Sequence, residues 1–69
     1  MHIGTRVQQV MKEQGRNVSW LAEKLPCERT NVYYIYKRSS IDTELLFKIS
    51  KLLNHDFFSE ISKELPLKK

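Results

Sequence analysis

The sequence holds one cysteine, two glycines and two prolines among its 69 residues, and each scarcity closes off a class of protein. A lone Cys27 excludes an internal disulfide and any fold held by cross-links, and agrees with a reducing compartment. Neither Cys27 nor His2 nor His55 falls into a zinc-ligand spacing, so no metal and no other cofactor is expected. So little glycine and proline disfavours a turn-rich β fold and suits packed helices. No apolar run approaches the ~20 residues of a membrane span, and the first residues lack the apolar stretch of a signal peptide. The expectation is a cytoplasmic protein with no membrane partner. Catalytic patterns are missing too: no paired carboxylates, no nucleophile–base set and no phosphate-cradling glycine loop. Glu23 and Glu28 read as helix-surface or cap-region residues, and Ser19, Ser39 and Ser40 have no base nearby. The chain is therefore not expected to be an enzyme. A chain of this length buries only about 60% of the surface its unfolded form exposes. One domain spanning 1–69 is expected, and a deep cleft would compete with its core for apolar residues.

What the sequence does have is positive charge, unevenly placed. The net charge is +4. Residues 1–40 carry seven Lys/Arg (Arg6, Lys12, Arg16, Lys24, Arg29, Lys37 and Arg38) against Glu13, Glu23 and Glu28, so 7 − 3 = +4. Residues 41–69 balance five basic against five acidic side chains, so 5 − 5 = 0. A basic half is expected where a polyphosphate binds, although +4 is also common among small proteins.

Apolar periodicity predicts five helices. Ile3, Val7, Val10, Met11 and Gln14 follow one helix face over 3–14, stopped by Gly15. Val18, Leu21, Ala22 and Leu25 form the stripe of a second helix, 18–25, with Asn17 as N-cap and Pro26 as its stop. A third runs over 28–37 with Val32, Ile35 and Tyr36 inward. Ser39-Ser40-Ile41 reads as a linker. Asp42 caps a fourth helix, 43–53, built on Leu45, Leu46, Ile49, Leu52 and Leu53, with Asn54 at its end. Asp56 caps a fifth, 57–65, whose Phe57, Ile61 and Leu65 are assigned to the core. Residues 66–69 read as a frayed tail.

Two short helices joined by a three- or four-residue turn make a helix-turn-helix. The stretch from Asn17 to Arg38, with Leu21-Ala22 mid-helix, Leu25 at the helix end and Val32 and Ile35 inward, resembles the core of the Cro/repressor-type (Xre-like) family. The resemblance extends over residues 3 to about 65. It implies an all-α, compact five-helix bundle of the phage-repressor DNA-binding type, with helices 2 and 3 as the helix-turn-helix. It further implies sequence-specific binding of double-stranded DNA by a bacterial or phage transcriptional regulator, commonly as a homodimer on a palindromic site.

The physics of groove reading agrees with that assignment. The major groove is ~12 Å wide and admits one α-helix with polar tips on its outer face. Carried over position by position, the resemblance makes Arg29, Thr30 and Tyr34, with Tyr33 alongside, the base-reading residues. Arg29 suits guanine O6 and N7, and Thr30 a thymine methyl or a base amine. Phosphate contacts fall to Arg16, Asn17, Asn31, Lys37 and Arg38, near helix ends where free N–H groups carry partial positive charge. Arg29 and Lys37 read equally as an ordinary solvated face when taken alone. Asn17 reads as a pure N-cap or as a phosphate ligand as well. Trp20 lies off its helix's apolar stripe, and partial packing, the phosphate edge and a partner surface remain open for it.

Three positions depart from the family pattern. Pro26 stands where the turn usually has a glycine at positive φ, which proline is not expected to take, so a locally different turn is expected. Val18 replaces a glutamine that contacts phosphate. Met11 and Tyr36 replace an ion pair between helices 1 and 3, so an apolar contact is expected. Phe47, Phe58, Leu65 and Leu67 exceed what a core needs and are candidates for a dimer surface. A second reading stays open: a protein-interaction or antitoxin-like module that uses the aromatic face of helix 3 to bind protein.

Overall fold

In a computed structural model, which describes residues 1–66, the chain forms α1 (Ile3–Glu13), α2 (Val18–Lys24), α3 (Arg29–Lys37), α4 (Thr43–Leu53) and α5 (Phe57–Lys63). No strand occurs among the described residues, and no helix there is long and apolar enough to cross a membrane. The five expected helices are present in the expected order, and α4 has the expected bounds. The other expected bounds are corrected by their caps. Gln14 and Leu25 are C-caps of α1 and α2, and Glu28 is the N-cap of α3. The expected end of α5 at 65 is corrected to Lys63. Past that point the N–H groups of Glu64 and Leu65 turn back to the carbonyls of Ile61 and Ser62. Of the expected tail, Pro66 is exposed, and 67–69 lie outside the described residues.

Helix starts are sealed by side chains, as polar residues that accept a backbone N–H dictate. Asn17 Oδ1 accepts from Trp20 N–H at 2.8 Å, Asp42 Oδ2 from Leu45 N–H at 3.0 Å, and Asp56 Oδ1 from Ser59 N–H at 2.9 Å. His2, which the sequence pattern did not flag, caps α1: its Nδ1 accepts from Thr5 N–H at 3.1 Å. Nδ1 as acceptor makes Nε2–H the donor, and Nε2 sits 3.2 Å from the carbonyl of Lys37. α3 alone starts without a side-chain cap.

The apolar stripes meet in one core. Ile3, Val7, Val10 and Met11 of α1 bury against Leu21 and Ala22 of α2, Val32, Ile35 and Tyr36 of α3, Leu46, Ile49 and Leu53 of α4, and Phe57 of α5. Met11 and Tyr36 both lie in it. Two assignments are corrected here: Ile61 and Leu65 are exposed, not core, because α5 is only two turns long and spends its inward position on Phe57. Ile41, read as linker, is buried. Leu67 lies outside the described residues.

Polar bonds fasten the two ends of the chain together. The Arg6 guanidinium binds both carboxylate oxygens of Glu60, at 2.8 and 2.9 Å, and His55 Nε2 approaches Glu60 Oε2 at 2.7 Å. Gln14 Nε2 donates to the carbonyl of Leu53 at 2.7 Å.

α1 and α3 meet backbone to backbone. Ile3 and Gly4 N–H donate to the carbonyls of Ser39 and Arg38, at 3.2 and 3.0 Å. The leading N–H groups of α1 thus meet carbonyls at the end of α3 that lack intrahelical partners. The opposite partial charges of the two helix ends add to the attraction. A Cβ at position 4 would lie 2.7 Å or less from the carbonyl oxygens of Ile35, Tyr36 and Arg38. Backbone cannot swing aside as a flexible side chain can.

Two expectations follow from these contacts. Helix propensity alone makes Gly4→Ala stabilising by about 1 kcal/mol. The carbonyl contacts reverse the sign, and the variant should lose about 3 kcal/mol, at the upper end of overpacking costs; urea titration reads the difference. The Arg6 hydrogen bonds, helped by His55, hold the Glu60 carboxyl at about 2, down from its ordinary 4.5. A depressed acid stabilises the fold fully above its unfolded value and loses that contribution as pH falls through the folded one. Glu60→Gln should therefore melt several degrees below the wild type at pH 7. The gap should narrow from about pH 4.5 downward and close near pH 2. A gap constant with pH would assign the loss to packing.

Candidate nucleic-acid interface

α3 is held out by its neighbours. Val32 and Ile35 fix its inner face, Tyr36 is buried beside them, and the junction with α1 fixes its end. Its outer face carries Arg29, Thr30, Tyr33, Tyr34 and Lys37, all exposed, with Tyr33 at 52% and Tyr34 at 59%. Tyr33 meets the buried Tyr36 ring edge-on, with centroids 6.4 Å apart. Among the described residues no hydrogen bond or ion pair engages the side chains of Arg29, Thr30, Asn31, Tyr34, Lys37 or Arg38. Large aromatic surface and cations left unengaged on one helix face are atypical of a purely structural helix.

The structure divides the nine expected site residues into three groups. Arg29, Thr30 and Tyr33 stand on the outer face of α3. Asn31, Tyr34, Lys37 and Arg38 line one groove between α3 and α4. Arg16 and Asn17 stand at the start of α2. There Asn17 is the N-cap, and the Arg16 guanidinium lies 4.3 Å from the centroid of the Trp20 ring, a cation–π contact. Trp20 is half-buried against the core, which answers the packing question left open for it.

The groove adds cations that segment-by-segment charge counting missed. Lys24 of α2 and Lys48 and Lys51 of α4 line it beside Lys37 and Arg38. The C-terminal half sums to zero, yet four of its five carboxylates, all but Glu44, are engaged elsewhere. Asp42 and Asp56 are caps, Glu60 binds Arg6, and Glu64 Oε1 lies 3.0 Å from the Met1 amino group. The available signal was spacing: Lys48 and Lys51 flank the Leu45 and Leu52 positions on the same helix.

The turn before α3 corrects one expectation. Pro26 does adopt positive φ, at 22°. The cause is the closure of α2: Cys27 N–H donates to the carbonyl of Ala22 at 2.9 Å, the six-to-one bond of a Schellman ending, which places a left-handed residue between the two. α1 ends the same way, with Arg16 N–H on Met11 O and Gly15 at φ 68°. So does α4, with His55 N–H on Ser50 O and Asn54 at φ 49°. Gly15 and Asn54 each supply the second bond through their own N–H. Proline has no N–H to give, and its ring resists that φ.

Comparison with protein-family models, with curated proteins and with solved structures returns no match. The interface accordingly rests on its own geometry.

Pro26→Gly should remove the ring strain and restore the missing bond. An ordinary L residue pays roughly 1–2 kcal/mol for a left-handed conformation and the proline ring adds to that cost, against about 0.4–1 kcal/mol of added unfolded-chain freedom. The variant should melt a few degrees higher, and Pro26→Ala should fall between the two. A lower melting temperature for Pro26→Gly would contradict a strained turn.

Proposed function

We propose that this protein binds double-stranded DNA sequence-specifically, as a helix-turn-helix regulator of the phage-repressor type, with α2 and α3 as the motif and α3 in the major groove. The observation that carries the reading is the outer face of α3. Five side chains able to read or grip DNA stand exposed on it without intramolecular polar partners, and the helix start is the only one not sealed by a side chain. A helix of ~10–12 Å diameter with its side chains fits a groove ~12 Å wide.

In this reading Arg29, Thr30, Tyr33 and Tyr34 read base edges. Arg29 contributes a planar fork for guanine and the tyrosines contribute hydroxyls and ring faces. Lys37, Arg38 and Asn31 grip phosphates on one side, Arg16 and the start of α2 on the other. Asn17 keeps its capping bond while the remaining N–H groups of that helix end face the backbone. The exposed Phe47, Phe58 and Leu65 supply an apolar surface for a homodimer on a palindromic operator. Cytoplasmic action in a bacterium or phage belongs to the same proposal, and the reading requires no cofactor.

Selection from random duplex DNA followed by sequencing tests the proposal; a palindromic consensus is expected, and an unenriched pool would refute sequence-specific binding. On the selected site, a dimer gripping roughly 6–8 phosphates should give a slope of log K against log[salt] of about −5 to −7. Arg29→Ala should lose about 1–3 kcal/mol on that site and less on random DNA. Lys37→Ala should weaken both alike. Identical profiles for the two variants would remove Arg29 from base reading. A protein-interaction module would instead leave duplex DNA unbound at low salt.

A further inference from the structure

The groove between the end of α2, α3 and α4 has a volume of about 850 Å³. Its wall chemistry is one-sided. Lys24, Lys37, Arg38, Lys48 and Lys51 line it, and among the described residues no carboxylate does. Its floor is apolar, formed by Leu25, Cys27, Ile35, Leu45 and Leu52. Leu25, Cys27, Leu45 and Leu52 are only partly buried and back directly onto the core. We infer that this groove is a docking site for an acidic amphipathic helix of a partner protein, its apolar stripe on the leucine floor and its carboxylates between the two rows of cations.

Dimensions, charge and floor select that occupant. α4 contributes from Leu45 to Leu52 and α3 from Asn31 to Arg38, so each wall is about 10 Å long at 1.5 Å per residue. Two turns of a helix span about the same 10 Å. A small ligand would be enclosed on most of its surface, whereas this trough is open to solvent along one side. Cations in two rows ask for carboxylates repeated at helical spacing, as in helix-in-groove recognition. A nucleic-acid backbone satisfies the cations but has no apolar stripe for the leucines. Asp42 and Asp56 are used as caps, Glu60 binds Arg6 and Glu64 lies against the Met1 amino group. The groove shares Tyr34, Lys37 and Arg38 with the DNA face proposed above, so an occupant would exclude DNA. Docking itself does not depend on DNA binding.

Cys27 is the only cysteine of the chain and lies in the floor, half-buried, so its alkylation reports occupancy. The probe is a capped synthetic peptide of about 16 residues, long enough to be helical, with leucines at i, i+3, i+4 and i+7 and glutamates flanking them. The control is its scrambled isomer of equal charge. At ten times its dissociation constant, the amphipathic peptide should slow alkylation of intact protein by iodoacetamide about tenfold. It should also shift the amide resonances of Leu45 and Leu52. The double variant Lys48→Glu, Lys51→Glu alters exposed positions, and its helical content can be checked by circular dichroism. It should bind the probe about tenfold more weakly. Equal protection by the scrambled isomer, unchanged affinity in the double variant, or no shift at Leu45 and Leu52 would each overturn the inference. Duplex DNA that shifts Leu45 and Leu52 and protects Cys27 as well as the peptide does would overturn it in favour of a nucleic-acid groove. Failure of all duplexes to bind would instead touch only the DNA reading.

Discussion

Where α1 begins and α3 ends, each helix completes the other. The leading N–H groups of Ile3 and Gly4 and the trailing carbonyls of Ser39 and Arg38 bond to each other. His2 reaches the carbonyl of Lys37 while its other ring nitrogen caps α1. Groups that would each carry a desolvation cost if buried unpaired are satisfied in pairs, and only a residue without Cβ lets the backbones come this close. The consequence is positional. α3 is a short helix, too short to be stable on its own, and its end is pinned to the first helix of the chain. Its outer face is thereby presented in one orientation.

The other end of α3 is set by how α2 stops. Three helices end through the same hydrogen-bonded closure, and it asks for a left-handed residue each time. Glycine meets that requirement freely at position 15, and asparagine tolerates it at 54. Proline at 26 meets it under strain and without the second bond. The six-to-one bond from Cys27 to Ala22 remains, and Leu25 and Cys27 pack against the core on either side of the proline. Tertiary packing therefore overrides the local preference of one residue at the position that aims α3.

That override marks where sequence reading succeeds and stops. The stripes of α1 to α4 were legible because each is set by a single periodicity against a single core, and Val7, Leu21, Val32 and Ile49 are all fully buried as that periodicity requires. Asn17, Asp42 and Asp56 were legible as caps because capping is local. The end of α5 was not, since Ile61 and Leu65 continue the pattern while the core has no room past Phe57. Gly4 carried no local signal, because its role exists only against the end of α3, more than thirty residues away; His2 caps α1 locally, but its second bond reaches Lys37. The same holds for Arg6 and Glu60, separated by 54 positions. Of the expected site residues, Arg29, Thr30 and Tyr33 share the outer face that helical spacing assigned them. The grouping of Lys37 and Arg38 with Lys48 and Lys51 needed the third dimension.

That grouping changes what the net charge means. Counted along the chain, the excess of positive charge belongs to the first forty residues. Counted in space, five cations line the groove between α3 and α4, while Asp42, Asp56, Glu60 and Glu64 serve the fold. A cap, an ion pair with Arg6 and a contact with the Met1 amino group each place a negative charge where structure needs it. Each such use leaves one fewer carboxylate to neutralise a lysine elsewhere. The two partners proposed above are both anionic and share this one face. What distinguishes among them is the underlying surface: polar tips along the outer edge of α3 suit base edges and phosphates, and leucines on the floor beside it suit an apolar helix stripe. Tyr34 lines the groove and belongs to the proposed base-reading set, so the two proposed partners would compete for it.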